Sequence, residues 1–95
     1  MPDYELVTII SPEEGDEKVS DILDRIGKLI SDRGGTVDEV NQWGKRRLAY
    51  PIKKFLEGNY VLTRFKLEPK LIKELEAEIR ASEEILRHLV VKTED

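Results

Sequence analysis

The chain has 95 residues, with 16 Lys or Arg, 20 Asp or Glu, no Cys and a formal net charge of −4. This length supports one hydrophobic core, so we expect a single domain over residues 1–95. The lack of Cys excludes disulfides and thiolate metal sites, and because His88 is the only His, no metal site or cofactor is expected. No signal peptide or long apolar run is found, which favours a cytoplasmic protein without a membrane partner.

The first third of the chain predicts a strand followed by an amphipathic helix. Residues 4–10 (YELVTII) are short and rich in β-formers. Residues 11–14 (SPEE) resemble a helix-capping box, although Gly15 can delay the start of the helix. Apolar residues then repeat at helical spacing, at Val19, Ile22, Leu23, Ile26, Leu29 and Ile30. Gly34-Gly35 is expected to end the helix, because Gly adopts the positive φ that a helix C-terminus often needs.

The middle of the chain predicts two further strands. Thr36 to Ile52 alternates as an extended segment, with a change of phase near Gly44 that suggests a β-bulge. Pro51 has no N–H to donate to a ladder, so this strand is expected at a sheet edge. Residues 54–58 are predicted as a hairpin loop, and residues 59–67 as the third strand.

The last third predicts a second helix that begins at Pro69 and a final strand. The apolar face of this helix comprises Leu71, Ile72, Leu75 and Ile79. Residues 82–91 fit either a longer helix or a strand over 85–92; the run Leu89-Val90-Val91 favours the strand. The resulting β-α-β-β-α-β order predicts an α+β ferredoxin-like fold, with a four-stranded antiparallel sheet and two helices on one face.

Positive charge is concentrated in one short stretch of this acidic chain. Residues 1–40 have a net charge of −7 and residues 55–95 of −2, whereas residues 41–54 have +5. The basic residues of that stretch are Lys45, Arg46, Arg47, Lys53 and Lys54. Because charges beyond about 8–10 Å are screened at physiological salt, a local patch can bind an anion despite the net charge.

Alternation along the strand divides the stretch between two faces. One set is apolar and is expected to face the helices, with Arg46 at its rim; it comprises Leu48, Tyr50 and Ile52. The other set is expected on the uncovered face, where it would follow the phosphates of a folded RNA; it comprises Lys45, Arg47, Ala49 and Lys53. Arg64 or Lys66 adds to this surface if the register of the third strand allows it.

Several residues have a second interpretation. Basic residues on an edge strand also serve to prevent edge-to-edge aggregation, although mixed charges would suffice for that purpose. Trp43 either covers one end of the core or stacks on a base. Tyr60 and Phe65 resemble the stacking aromatics of RNA-binding sheets only weakly, so packing of Phe65 in the core is favoured. His88 is expected to be a hydrogen-bonded strand residue rather than a ligand.

Residues 44–53 (GKRRLAYPIK) resemble the signature of the bacterial small-subunit ribosomal protein number six family. The resemblance extends along the chain through Tyr4-Glu5, Gly34-Gly35, Gly58 with Tyr60, and Val90-Val91-Lys92. The matched signature positions are Gly44, Arg46, Arg47, Leu48, Ala49, Tyr50, Ile52 and Lys53. The resemblance implies a ferredoxin-like protein without enzymatic activity, which binds small-subunit ribosomal RNA together with ribosomal protein number eighteen.

On this interpretation Lys45, Arg47 and Lys53 supply phosphate contacts, with Arg46 and Lys54 at the margin. Two alternatives remain open. A small-molecule regulatory or enzymatic module on the same fold would need a concave polar pocket, for which no motif is found. A purely protein-binding module would use Val7, Ile9 or the edge strand. No catalytic triad and no phosphate-binding loop is present in the sequence, so no small-molecule substrate is expected.

Overall fold

The computed structural model describes residues 1–93, which form a sheet and two α-helices. In chain order the elements are β1 (Asp3–Ile10), α1 (Asp16–Asp32), β2 (Thr36–Ile52), β3 (Phe55–Lys66), a 3₁₀ turn (Pro69–Leu71), α2 (Ile72–Arg80) and β4 (Ile85–Lys92). This order confirms the predicted ferredoxin-like fold, including the final strand, whose bounds match the prediction. Neither helix in this range has the length and apolar content that a membrane span requires.

The sheet is antiparallel, with the strand order β2-β3-β1-β4. Within residues 1–93, β2 pairs only with β3, which confirms that the segment containing Pro51 is an edge strand. Gly44 has a φ of 84° at a shift in the β2–β3 register, so the expected bulge is also present. Pro51 lies between the pairs Arg47↔Glu57 and Ile52↔Phe55, where the ladder is interrupted.

The core lies between the helices and one face of the sheet. Along β1 the even-numbered residues are buried, and Leu6 and Ile10 are completely so. Phe65 is buried on the same face and stacks on Tyr4, with 5.5 Å between ring centroids, as predicted for a core residue. The helices contribute the buried residues Val19, Ile22, Ile26, Ile30, Leu75 and Ile79. The opposite face of the sheet, which carries Val7 and Ile9, is called the open face below.

Two glycines follow the end of α1, and each position requires Gly for a different reason. Gly34 has a φ of 82°, the left-handed conformation expected after the last helical turn. Gly35 lies against the carbonyl oxygen of Lys66 in β3, and a Cβ there would also approach Ile30 Cγ2 at 2.8 Å and Leu67 Cδ1 at 2.9 Å. At the other end the helix begins after Gly15, so the residues that resemble a capping box lie before it.

The predicted boundary of β3 is wrong by four residues. The strand begins at Phe55 rather than at residue 59, and Lys53 and Lys54 alone form the turn. Gly58 therefore lies inside the strand and not in a loop. It is needed there because the Ile9 side chain occupies the space that a Cβ at position 58 would fill.

Side-chain contacts link the helices to β4 and to Glu84, the residue before it. His88 Nε2 lies 2.9 Å from Glu76 Oε1, which confirms the expected hydrogen-bonded histidine. Glu84, next to β4, lies 3.6 Å from Arg25 and 3.8 Å from Lys18 of α1. A hydrogen bond from the Glu84 backbone N–H, followed by the charges of Arg25 and Lys18, lowers the pKa of the Glu84 carboxyl.

Candidate nucleic-acid interface

The predicted basic residues lie on one two-stranded projection, residues 44–59, which we call the basic hairpin. All five are exposed: Lys45, Arg46, Arg47, Lys53 and Lys54. At the base of the hairpin Asn59 Nδ2 donates a hydrogen bond of 3.1 Å to the carbonyl of Ser11. The structure therefore brings the predicted residues together on one pair of hydrogen-bonded strands, whose pairing is interrupted where β2 bulges.

That bulge occupies residues 48–51. Arg47 pairs with Glu57 and Ile52 pairs with Phe55, so four residues of β2 lie opposite Leu56 alone. Leu48, Tyr50 and Ile52, which lie in or next to the bulge, line a cleft of about 170 Å³ on the open face. The extra residues of a bulge have no partners on the neighbouring strand, so the strand bends locally and its side chains change direction.

The predicted assignment of faces is wrong. Leu48, Tyr50 and Ile52 were expected to face the helices, yet they line the open-face cleft together with Ile9 and Tyr60. Register places Arg46 on the same face: Tyr60 pairs with both Ile9 and Gly44, so Gly44 and then Arg46 share the open face. Arg46 is correspondingly not at the rim of the helix side.

Lys45 and Arg47 are also on the side opposite to the one predicted. Lys45 pairs with Asn59, which in turn pairs with the core residue Ile10, so both basic side chains have the parity of the helix side. They are exposed nonetheless, and Arg47 lines a surface depression with Pro12. Positive charge therefore lies on both sides of the hairpin.

The basic hairpin is not neutralised by neighbouring acids. Within residues 1–93 none of its five basic side chains has a carboxylate oxygen within 4.0 Å. In contrast, Arg64 lies 3.1 Å from Glu5 and 3.6 Å from Glu39. The unneutralised cations are the ones that an external anion can reach without breaking an existing ion pair.

Lys66 is paired in the same way as Arg64, at the far end of the open face. Its Nζ lies 2.8 Å from Asp38 and 3.1 Å from Asp3. These hydrogen bonds, first that of Asp38 and then that of Asp3, raise the pKa of the Lys66 ammonium group. Although the register places Lys66 and Arg64 on the open face, their charges are already matched, and they do not extend the unneutralised surface.

The aromatic residues near the hairpin are more exposed than predicted. Tyr50, expected under a helix, is 54% exposed, and Trp43, beside the bulge at Gly44, is 46% exposed. Trp43 therefore does not cover an end of the core. Among the described residues there is no cluster of three or more His, Asp or Glu suited to a metal ion.

The turn of the hairpin holds two lysines in a conformation that disfavours them. Lys53 has a φ of 50° and Lys54 a φ of 75°, and the residues of the turn are flanked by the pair Ile52↔Phe55. Two-residue turns of this kind prefer Asn-Gly, because L-residues with a long side chain are strained at positive φ. The two lysine charges at the hairpin tip are thus present at a cost in stability.

Replacing the turn lysines by Asn-Gly (K53N/K54G) should stabilise the protein by about 0.5–1.5 kcal/mol, because it relieves strain of about 1–2 kcal/mol per residue but adds unfolded-state entropy at Gly. Urea unfolding would measure the gain. The matched control, K53Q/K54Q, removes the same charges but keeps the positive φ values, so it should not stabilise. Equal stability of both variants would contradict a strained turn.

Comparison with known proteins identifies the family. The family model described as ribosomal protein S6 matches residues 3–92. The chain belongs to the ribosomal protein S6 family. The small ribosomal subunit protein bS6 of Dehalococcoides mccartyi is 42% identical over 95 residues, covering 100% of this chain and 87% of that protein. The bS6 protein of Caldanaerobacter subterraneus is 40% identical, with 100% of both chains covered.

A solved structure supports the same membership. The crystal structure of 30S ribosomal protein S6 from Thermotoga maritima has a TM-score of 0.91 and 34% identity, covering 97% of this chain and 87% of that one. This S6 family member is accordingly a protein of the small ribosomal subunit and not an enzyme. The resemblance inferred from residues 44–53 is confirmed at the level of the family.

One contact of the S6 signature has no counterpart in the sequence prediction. Arg87 of β4 donates a hydrogen bond to the hydroxyl of Tyr50 in the β2 bulge. The two residues are 37 positions apart, on strands at opposite edges of the sheet. Neither charge patterning nor strand periodicity indicates such a pair, because both act over a few residues only.

Proposed function

We propose that this S6 family protein is a structural component of the small ribosomal subunit, in the cytoplasm, which binds small-subunit ribosomal RNA through its basic hairpin. We further propose that it does so together with ribosomal protein number eighteen, with residues 1–95 acting as one domain. The observation that carries the proposal is the set of exposed, unneutralised cations on one projection of an otherwise acidic protein.

In this proposal Lys45, Arg47 and Lys53 contact phosphates, with Arg46 and Lys54 making further contacts. Because the cations lie on both sides of the hairpin and at its tip, an RNA that receives the hairpin in a groove meets positive charge from each direction. Phosphate contacts fix the orientation of a protein on RNA without reading its sequence. Specificity would then come from the shape of the RNA and from the partner protein.

The open face supports binding of a protein partner. Leu89 and Val91 of β4 are 59% and 46% exposed, and Leu89 lines an apolar groove of about 380 Å³ with Val7 and Ile9. Exposed apolar side chains grouped in this way are typical of protein interfaces. We therefore propose that ribosomal protein number eighteen packs on the open face beside the basic hairpin, so that both proteins reach one RNA surface.

A gel-shift assay with a small-subunit ribosomal RNA fragment, with and without ribosomal protein number eighteen, tests the proposal. We expect a shift that becomes stronger when the partner is present. Leu89→Ser should reduce the gain due to the partner, whereas Ser82→Ala, a change outside the groove, should leave it intact. Absence of any RNA shift, with the partner still bound, would favour the purely protein-binding alternative.

A further inference from the structure

We infer that Arg87 positions the basic hairpin from the opposite edge of the sheet. Besides its hydrogen bond to the Tyr50 hydroxyl, the Arg87 guanidinium carbon lies 5.4 Å from the centroid of the Tyr50 ring. One guanidinium thus contacts both the polar and the aromatic part of one side chain. Since β3 and β1 lie between β2 and β4, this contact bridges about 14 Å of sheet, at about 4.8 Å per strand.

The contact acts on a segment that the sheet itself does not hold. Residues 48–51 form no register pairs with β3. Leu48, the first residue of the bulge, is buried beside Ile9 and Gly58. This packing fixes the position at which the bulge begins. The Tyr50 side chain is half-exposed, and its hydroxyl end accepts the hydrogen bond from Arg87 in the open-face cleft.

The position of the bulge determines where the cations lie. Arg46 and Arg47 come directly before it, and the Lys53–Lys54 turn follows it after Ile52. If residues 48–51 keep one conformation, the distance and orientation between the two groups of charges are therefore also fixed. A surface that is ordered before binding loses less conformational entropy when it binds. This part of the inference rests on the proposed RNA binding, and in it Arg87 acts through Tyr50 rather than on the RNA.

Amide hydrogen exchange of the RNA-free protein tests the structural part. Arg87→Gln should accelerate exchange at hairpin residues 45–57 by about 3- to 10-fold, as expected for loss of an exposed cation–π contact and its hydrogen bond. Tyr50→Ala should have a similar effect, and the double variant should add little to it. Arg80→Gln is the matched control, because it removes the same charge from an exposed residue of α2. Unchanged exchange in Arg87→Gln would overturn the inference.

RNA affinity measured at several salt concentrations tests the functional part. Arg87→Gln should weaken binding by about 3- to 10-fold with no change in salt dependence, and should have little effect in a Tyr50→Ala background. If Arg87 instead contacts phosphate itself, its loss reduces the slope of log K against log salt by about 0.7–0.9, independently of Tyr50. That result would overturn the positioning role. Failure of the unaltered protein to bind RNA would contradict the proposed function alone, because the exchange experiment needs no RNA.

Discussion

Replacing Lys45, Arg47 and Lys53 together with Gln is expected to weaken RNA binding by about 100-fold, at roughly 1 kcal/mol for each lost contact. The salt dependence should become shallower as well, because each phosphate contact contributes about 0.7–0.9 to the slope of log K against log salt, so the triple change removes about 2–3. Folding should be nearly unaffected, since the three side chains are exposed and have no acidic partner among the described residues. Affinity titrations at several salt concentrations, with ribosomal protein number eighteen present, would measure both effects.

A matched control separates the local effect from a change in net charge. Lys70, Lys73 and Arg80 are also exposed, and they lie in the 3₁₀ turn and α2 rather than in the hairpin. Their replacement with Gln removes the same charge and should leave the slope unchanged. The edge-protection alternative predicts that the hairpin triple variant keeps its affinity and slope but self-associates at high concentration. An unchanged slope would exclude the hairpin as the phosphate-binding surface.

Leu75→Ala is expected to destabilise the protein by about 2–5 kcal/mol, because it leaves a cavity beneath α2. Leu75 is completely buried in the core cluster between α2 and the sheet. Ile26→Ala in α1, where the side chain is 2% exposed, should have an effect in the same range. Urea unfolding followed by circular dichroism would give the free energy of unfolding of each variant.

The control for the core experiment is Leu89→Ala, the same chemical change at a residue that is 59% exposed. It should cost less than about 0.5 kcal/mol, as is usual for surface substitutions. A loss as small as this at Leu75 would mean that α2 does not pack on the sheet through the face that carries Leu75 and Ile79. The comparison therefore tests the architecture on which the position of the basic hairpin depends.

Local features of the sequence determined the elements of this fold. Helical spacing of apolar residues identified α1 and α2, and Pro51 and Gly44 marked β2 as a bulged edge strand, because backbone chemistry acts through the residue itself. The five cations of the basic hairpin were likewise found from the sequence, by counting the charges in each segment. The boundary of β3 was misplaced because Gly is typical of turns. At position 58 a Gly is required for a different reason, since the Ile9 side chain occupies the space of a Cβ.

Only the tertiary structure decided which face each side chain occupies. Apolar residues were assumed to face the helices, but the open face is apolar too, at Ile9, Leu48 and Tyr60, so hydrophobicity does not distinguish the two sides. The register shift between Gln42 and Gly44 reverses the alternation, and such a shift by one residue exchanges every following side chain between faces. The contact of Arg87 with Tyr50 depends further on the strand order, which places β4 and β2 at opposite edges of the sheet, so that the two side chains meet across β1 and β3. Such a contact follows from the path of the whole chain, because the residues next to Arg87 and Tyr50 in the sequence do not indicate that these two side chains meet.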